Sequence, residues 1–510
     1  MRVAIAVISC VVVAAAGQPL ASATATEDLK RYENFAEAAL GAPPEIAADL
    51  LIQLAESSGA AAEVPRAQRV QWLEQAFSLA PQAAFRIPQV VAGGEADRSD
   101  SNSGATDIAL RRGLDTLSIQ IRVVRCMLSL DIPRAIEMFQ SIRDVRISAP
   151  QCSDSLVYFP GPYYDLVADL YRRGFTDTER NELKDIDFLS SIIGASGLPL
   201  ELGPASRLIL LTQNTSAFRR LVAVYATRLE EIPNDYRAFA AAMNSGLLEA
   251  FQALIAATRA EGLPRFSLLR AMRSYLVRNL GGEVCAEAIS SQGDRIRTKY
   301  IQTFNAILRE GGVDDADIHP LSPEEIKPSH VGSRMQVSVY WRSPRSQALL
   351  AGLKRLRFGT TEQQTVNAQQ PPRADGRAAF LTVEQRSDPA WEASVQEFLN
   401  DVSEWNRNRE EPEADSFHMI SIINQSVIEL IPAGRPLRRD VLSAYLIVLQ
   451  QSHLRRDKPP EWLSEAMYLI QAGRFPDDDI AWLRSELSRV ADPILSLYMD
   501  VGQFNARGKR

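Results

Sequence analysis

The sequence predicts an all-α fold: an irregular array of antiparallel helical hairpins, α-solenoid-like, followed by a C-terminal helical bundle. Three observations carry this expectation. Apolar residues recur three and four apart along most of the 510 residues, the period of a helix with one buried face. Proline and glycine fall between these runs, proline near helix starts and glycine after helix ends, where each is tolerated. Against this background "MQVSVYW" alternates, which sets Met335, Val337, Val339 and Trp341 on one face. That stretch reads as a strand or as the entry of a buried helix, so at most a minor strand element is expected at 335–341.

Taken in order, the first residues form an export signal. Arg2 gives a positive start, Val3 to Ala16 an apolar run, and Ala21 to Thr26 the small residues that a signal peptidase requires. Residues 1–23 are therefore read as a signal peptide, with cleavage after Ala23 or Ala25. The apolar run is short for a membrane anchor, which needs ~20 residues. "VISC" resembles a lipoprotein box at Cys10, but apolar residues continue past it, which argues against lipidation. No later stretch is apolar for ~18 residues. The expected protein is exported, periplasmic or extracellular, with no transmembrane segment after cleavage.

A helical array is expected over residues 26–311. Thr26 is positioned to cap the first helix, with acids in its first turn. Pro44 starts the second, which places Ile46, Leu50, Leu51 and Leu54 on one face. A third carries Val70, Leu73 and Phe77 and stops at Pro81. Short turns between such helices make antiparallel hairpins. Residues 93–107, polar and rich in glycine and serine, read as a flexible loop. Helical pairs then resume and continue to about Gly312, without a constant repeat length. A connector follows at 312–387. It holds one helix, 344–357, with Ser343 as cap, Pro344 in the first turn and Gly359 beyond the end, and a polar linker at 360–377. Asp388 caps and Pro389 starts the first helix of the C-terminal bundle, 388–505, which Pro436, Pro460 and Gly473 punctuate.

Ala135, Phe139 and Ile142 are spaced as in the second helix of a tetratricopeptide repeat. The preceding helix lacks the Trp, Gly and Tyr such a repeat places there, so the resemblance covers one hairpin and implies stacked hairpins only. "YWRSPRSQALLAGLKRLRFG" and "EADSFHMISIINQSVIELIP" are similar to stretches of uncharacterised exported helical proteins from environmental bacteria. That resemblance implies export and helical architecture and transfers no activity and no functional residue.

Composition narrows the function. With 46% hydrophobic and 23% charged residues the chain is a folded protein. A net charge of −7 argues against nucleic acid as a partner, since binding it rests on clustered cations. P-loop, dinucleotide-binding, nucleophile-elbow and zinc-protease patterns are missing, and no cofactor is expected. Removing Cys10 leaves Cys126, Cys152 and Cys285, and in an oxidising compartment Cys126 and Cys152 are the candidate disulfide; the alternative is small buried hydrophobes. His418 is one of four histidines. On a helix it shares a stripe about 80° wide with Asp415, Ile422, Gln425 and Glu429. Asp415 and His418, with His453 and Glu461 from neighbouring helices, are the nearest approach to a metal set, but the stripe reads first as a face turned to water. His319 and His330 sit in the connector without partners. Asp477 to Asp479 read as acids favoured at a helix start. Tyr158, Phe159, Tyr163 and Tyr164 surround a Pro-Gly-Pro turn, as contact aromatics for a sugar or protein or as packing for the turn. Arg342, Arg345, Lys354, Arg355 and Arg357 decorate the connector helix. The expected function is a non-enzymatic scaffold of the cell envelope that binds a protein partner. The alternative is a helical protein that binds or cleaves envelope glycans with an acidic pair that the sequence does not single out.

Overall fold

The computed structural model describes residues 20–83, 86–91, 113–142, 156–233, 239, 242–243, 245–280, 283–284, 291–312, 318–319, 327–328, 343–359, 381–408, 413–453, 466, 469, 477–489 and 492–507. The loop at 93–107, the linker at 360–377 and the expected strand at 335–341 lie outside them. The fold is all-α, as its periodicity requires.

The chain begins with α1 (Leu20–Ala39), α2 (Pro44–Glu56), α3 (Ser58–Glu63) and α4 (Arg66–Leu79). Helix α1 runs through Thr26, which is therefore an interior residue and not a cap. Alanine at positions 21, 23 and 25 favours continuing the helix over stopping it. Pro44 occupies the first turn of α2, and Ile46, Leu50, Leu51 and Leu54 are all buried. Next come α5 (Thr116–Leu130), α6 (Ile132–Ile142), α7 (Gly161–Arg173), α8 (Asp177–Asn181), α9 (Lys184–Ala195), α10 (Pro199–Leu210) and α11 (Ser216–Glu231). Helices α12 (Leu247–Ala260), α13 (Phe266–Leu280) and α14 (Ser291–Glu310) complete this half.

Successive hairpins stack: α2 on α4, α4 on α5, α5 on α6 and α7, α9 on α11, α10 on α12, and α11 on α13. Their apolar faces merge into one core, as a solenoid requires, since no single hairpin can bury its own face. Phe251 of α12 ties three neighbouring helices to its own. Its ring meets Tyr225 of α11, Tyr275 of α13 and Phe304 of α14 edge-on, at 6.4, 6.3 and 5.7 Å, the geometry aromatic quadrupoles favour.

Minor strands occur at two places the alternation did not mark. β1 (Gln89–Val91) pairs antiparallel with β2 (Leu156–Tyr158), Val90 opposite Val157. β3 (Glu283–Val284) pairs in parallel with β4 (Lys327–Pro328). Each is too short to display a period.

The remaining helices are α15 (Pro344–Phe358), α16 (Val383–Arg386), α17 (Pro389–Arg407), α18 (Glu413–Leu430), α19 (Pro436–His453), α20 (Asp477–Ser488) and α21 (Pro493–Arg507). Helix α15 packs on α17 and α18, α18 on α19, and α20 on α21. Helix α21 also packs on α1, α2 and α3, so the last helix meets the first hairpin. Among the described residues, no helix is long and apolar enough to cross a membrane.

Candidate functional site

A concave surface lies where α15 crosses α17. Local sequence fixes both helices. The Ser343 side chain accepts from the Ser346 amide at 3.1 Å, Pro344 fills the first turn of α15, and Gly359 follows its end at φ +80°. Asp388 accepts from the Ala390 amide at 2.8 Å at the start of α17. Trp391, Val395, Phe398, Val402 and Trp405 are the buried side of α17, spaced alternately four and three, which keeps one narrow seam toward the partner helix. Leu349, Leu353 and Leu356 are buried on α15. The Trp391 indole donates to the Leu356 carbonyl at 3.0 Å, pinning the two helices. At Gly352 α15 lies directly against the Phe398 ring of α17. A Cβ there would stand 2.8 Å from two carbons of the Phe398 ring, so only a residue without a side chain permits the approach.

Two adjoining cavities open along this crossing, of about 400 and 220 Å³. Gly352, Arg355, Phe398 and Asp401 line both. Glu397 and Asp388 extend the larger, Arg345 and Glu404 the smaller. Glu397, Asp401 and Glu404 fall at i, i+4 and i+7, one exposed stripe of α17. Arg345 and Arg355 stand opposite on α15, also exposed. Among the described residues, none of these five has an oppositely charged partner within 4 Å. The groove thus presents an acidic row and a basic row with open space between them. Trp391 and Trp405 are buried beneath it, so they support the groove and do not offer open ring faces.

The sequence named Arg345 and Arg355 as part of a basic run but not the acids facing them. The i, i+4, i+7 spacing of Glu397, Asp401 and Glu404 beside a four-three apolar seam was the available signal. It was hidden because exposed acids at helical spacing are common and the opposite helix is unknown from sequence.

The candidate aromatics separate. Tyr158 and Tyr164 are buried. Tyr164 shares a hydrogen bond with Ser196 at 2.9 Å, and Tyr163 stacks on Phe139 at 5.7 Å. Burial pushes both the Tyr158 and the Tyr164 hydroxyl well above the usual phenol range, with nearby Glu201 adding to it. Phe159 alone is open, at 44% exposure. Three of the four therefore pack the Pro-Gly-Pro turn onto its neighbours.

In the disulfide candidate, Cys152 lies outside the described residues. Cys126 is a buried free thiol whose sulfur donates to Glu56 Oε1 at 2.6 Å. Burial and then the Glu56 charge push its pKa up. Asp479 of the acidic triplet is buried and faces Arg438 and Arg439 Nε at 3.7 Å each, so its charge is already answered by protein.

Of the metal candidates, Glu461 lies outside the described residues, as do the side chains of Asp415, His418 and His453. Among the described residues, no three histidines, cysteines or acids gather as a metal would need. The described rest of the stripe on α18 is wet in part only. Gln425 is buried, Ile422 half-buried, and only Glu429 is exposed. Helix α18 packs on α15, α17 and α19, and these neighbours cover positions that periodicity leaves in water.

No known protein family, curated protein or solved structure matches the chain.

Proposed function

We propose that the chain is an exported helical scaffold of the cell envelope that holds a protein partner in the α15/α17 groove. The observation that carries this reading is the pair of unanswered charged rows, Glu397, Asp401 and Glu404 facing Arg345 and Arg355 across open space. Charges arranged so select a partner and its register, and contribute more to recognition than to raw affinity. A polypeptide segment bearing both signs satisfies both rows at once. Export is supported by Arg2, the apolar run from Val3 to Ala16 and the small residues at Ala21 to Thr26.

A photo-crosslinking residue at position 401 in the native host tests the groove. A discrete adduct is expected, lost when Arg345 and Arg355 are both changed to Glu. The same crosslinker at the exposed Asp440 of α19 is the control. Identical adducts from both positions, or an adduct indifferent to Arg345→Glu and Arg355→Glu, rule the groove out.

A second reading, glycan binding or cleavage, is favoured by one observation: four carboxylates, those of Asp388, Glu397, Asp401 and Glu404, line a single groove. Purified protein that solubilises cell-wall glycan, and loses this with Asp401→Asn, would replace the scaffold reading.

A further inference from the structure

Asp49 is a buried carboxylate at the only place where, among the main helix pairings described, the end of the chain meets its beginning. It accepts from Gln53 Nε2 of its own helix at 2.9 Å and from Arg122 Nη1 of α5 at 2.6 Å. Its third donor is the hydroxyl of Tyr498 on α21, 449 residues away. Three helices that are remote in sequence are thus keyed to one side chain.

We propose that α21 is a detachable latch: it closes the end of the array onto the first hairpin and lifts away as a unit, leaving that hairpin folded. Two features of the interface make it reversible. The charge at its centre is not stranded when α21 leaves, because Asp49 keeps Arg122 and Gln53. Uncompensated buried charge is what makes most such contacts costly to break. The Tyr498 hydroxyl, once released, is satisfied by water. The covered elements also stand without it. Helix α3 carries its own cap, Ser57 accepting from Ala60 at 3.1 Å, and α2 is packed on α4 and α5.

Native-state hydrogen exchange on the full chain tests this, in the wild type and in Tyr498→Phe, which removes one hydrogen bond and keeps the ring. Amides of α21 are expected to exchange through a local opening, at least about a hundredfold faster than those of α2 and α5. Tyr498→Phe is expected to speed α21 a further three- to tenfold or so, the range for one hydrogen bond, with α11 and α13 unchanged. Wild-type α21 amides that exchange no faster than those of α2 overturn the proposal. So does a Tyr498→Phe variant with unaltered α21 rates, or one in which all helices accelerate equally.

Discussion

Gly352 shows how a single residue decides the groove. A methyl group there would meet the Phe398 ring at 2.8 Å, and Phe398 is itself buried. Alanine is the better helix former by about 1 kcal/mol, but forcing a methyl into a packed interface costs about 1–3 kcal/mol. The clash is expected to win: Gly352→Ala should lower stability by roughly 1–2 kcal/mol in urea melts, and a stabilised variant would show that α15 and α17 are not in contact there. Glu201 offers a pH test. Its Oε2 accepts from the Gly197 and Leu198 amides at 2.6 and 2.9 Å, yet burial holds its pKa above the usual carboxylate value of 4.5. A raised acid binds its proton more tightly folded than unfolded, so ionisation costs stability. The loss begins as pH rises past about 4.5, the unfolded value, and is complete above the folded pKa. Glu201→Gln keeps an oxygen for both amides and does not titrate. Its stability relative to wild type should therefore rise between pH 4 and pH 7; a difference that stays flat or falls refutes the assignment. None of this was legible beforehand: neither the Gly352 approach nor the Glu201 burial leaves a mark in local sequence.

At the scale of elements, sequence served best where a helix end is built from its own residues. Ser343, Pro344 and Gly359 frame α15, and Asp388 with Pro389 opens α17, as their chemistry dictates. Asp388→Ala should therefore cost about 0.5–2 kcal/mol, whereas Asp388→Asn, which keeps a side-chain oxygen, should cost little; equal losses in thermal melts would assign the effect to something other than the cap. The face of a helix was less legible than its ends. Helix α2 buries the stripe its apolar spacing marks, and Ala47, Ala48, Asp49 and Ile52 besides, because α1, α4, α5 and α21 surround it. Helix α18 is flanked by three helices and buries Ser416, Ser421, Asn424 and Gln425 as well. There the Asn424 amide turns back to the Ile420 carbonyl at 2.8 Å to satisfy itself. Strands β1 and β2 escaped notice because two three-residue pieces from distant parts of the chain pair through backbone alone.

For the whole molecule, one prediction belongs to the first residues and one fact to the last. The mature chain should begin near Thr24 or Thr26, as N-terminal sequencing of exported protein would report; an intact Met1 would refute export by cleavage. The contact of α21 with α1, α2 and α3 crosses any division of the chain into an N-terminal array and a C-terminal bundle. Sequence by itself determined the all-α class, the hairpin alternation and many of the helix ends. These depend on residues three or four apart and on caps whose donors and acceptors are neighbours. Tertiary structure alone decided that Glu397, Asp401 and Glu404 face Arg345 and Arg355, that Gln425 in the stripe of α18 is buried, and that Tyr498 reaches Asp49. Those outcomes depend on which helices become neighbours. The apolar seams that bring them together are non-directional and interchangeable from one helix to the next, so the pairing is fixed only by the packing of the complete chain.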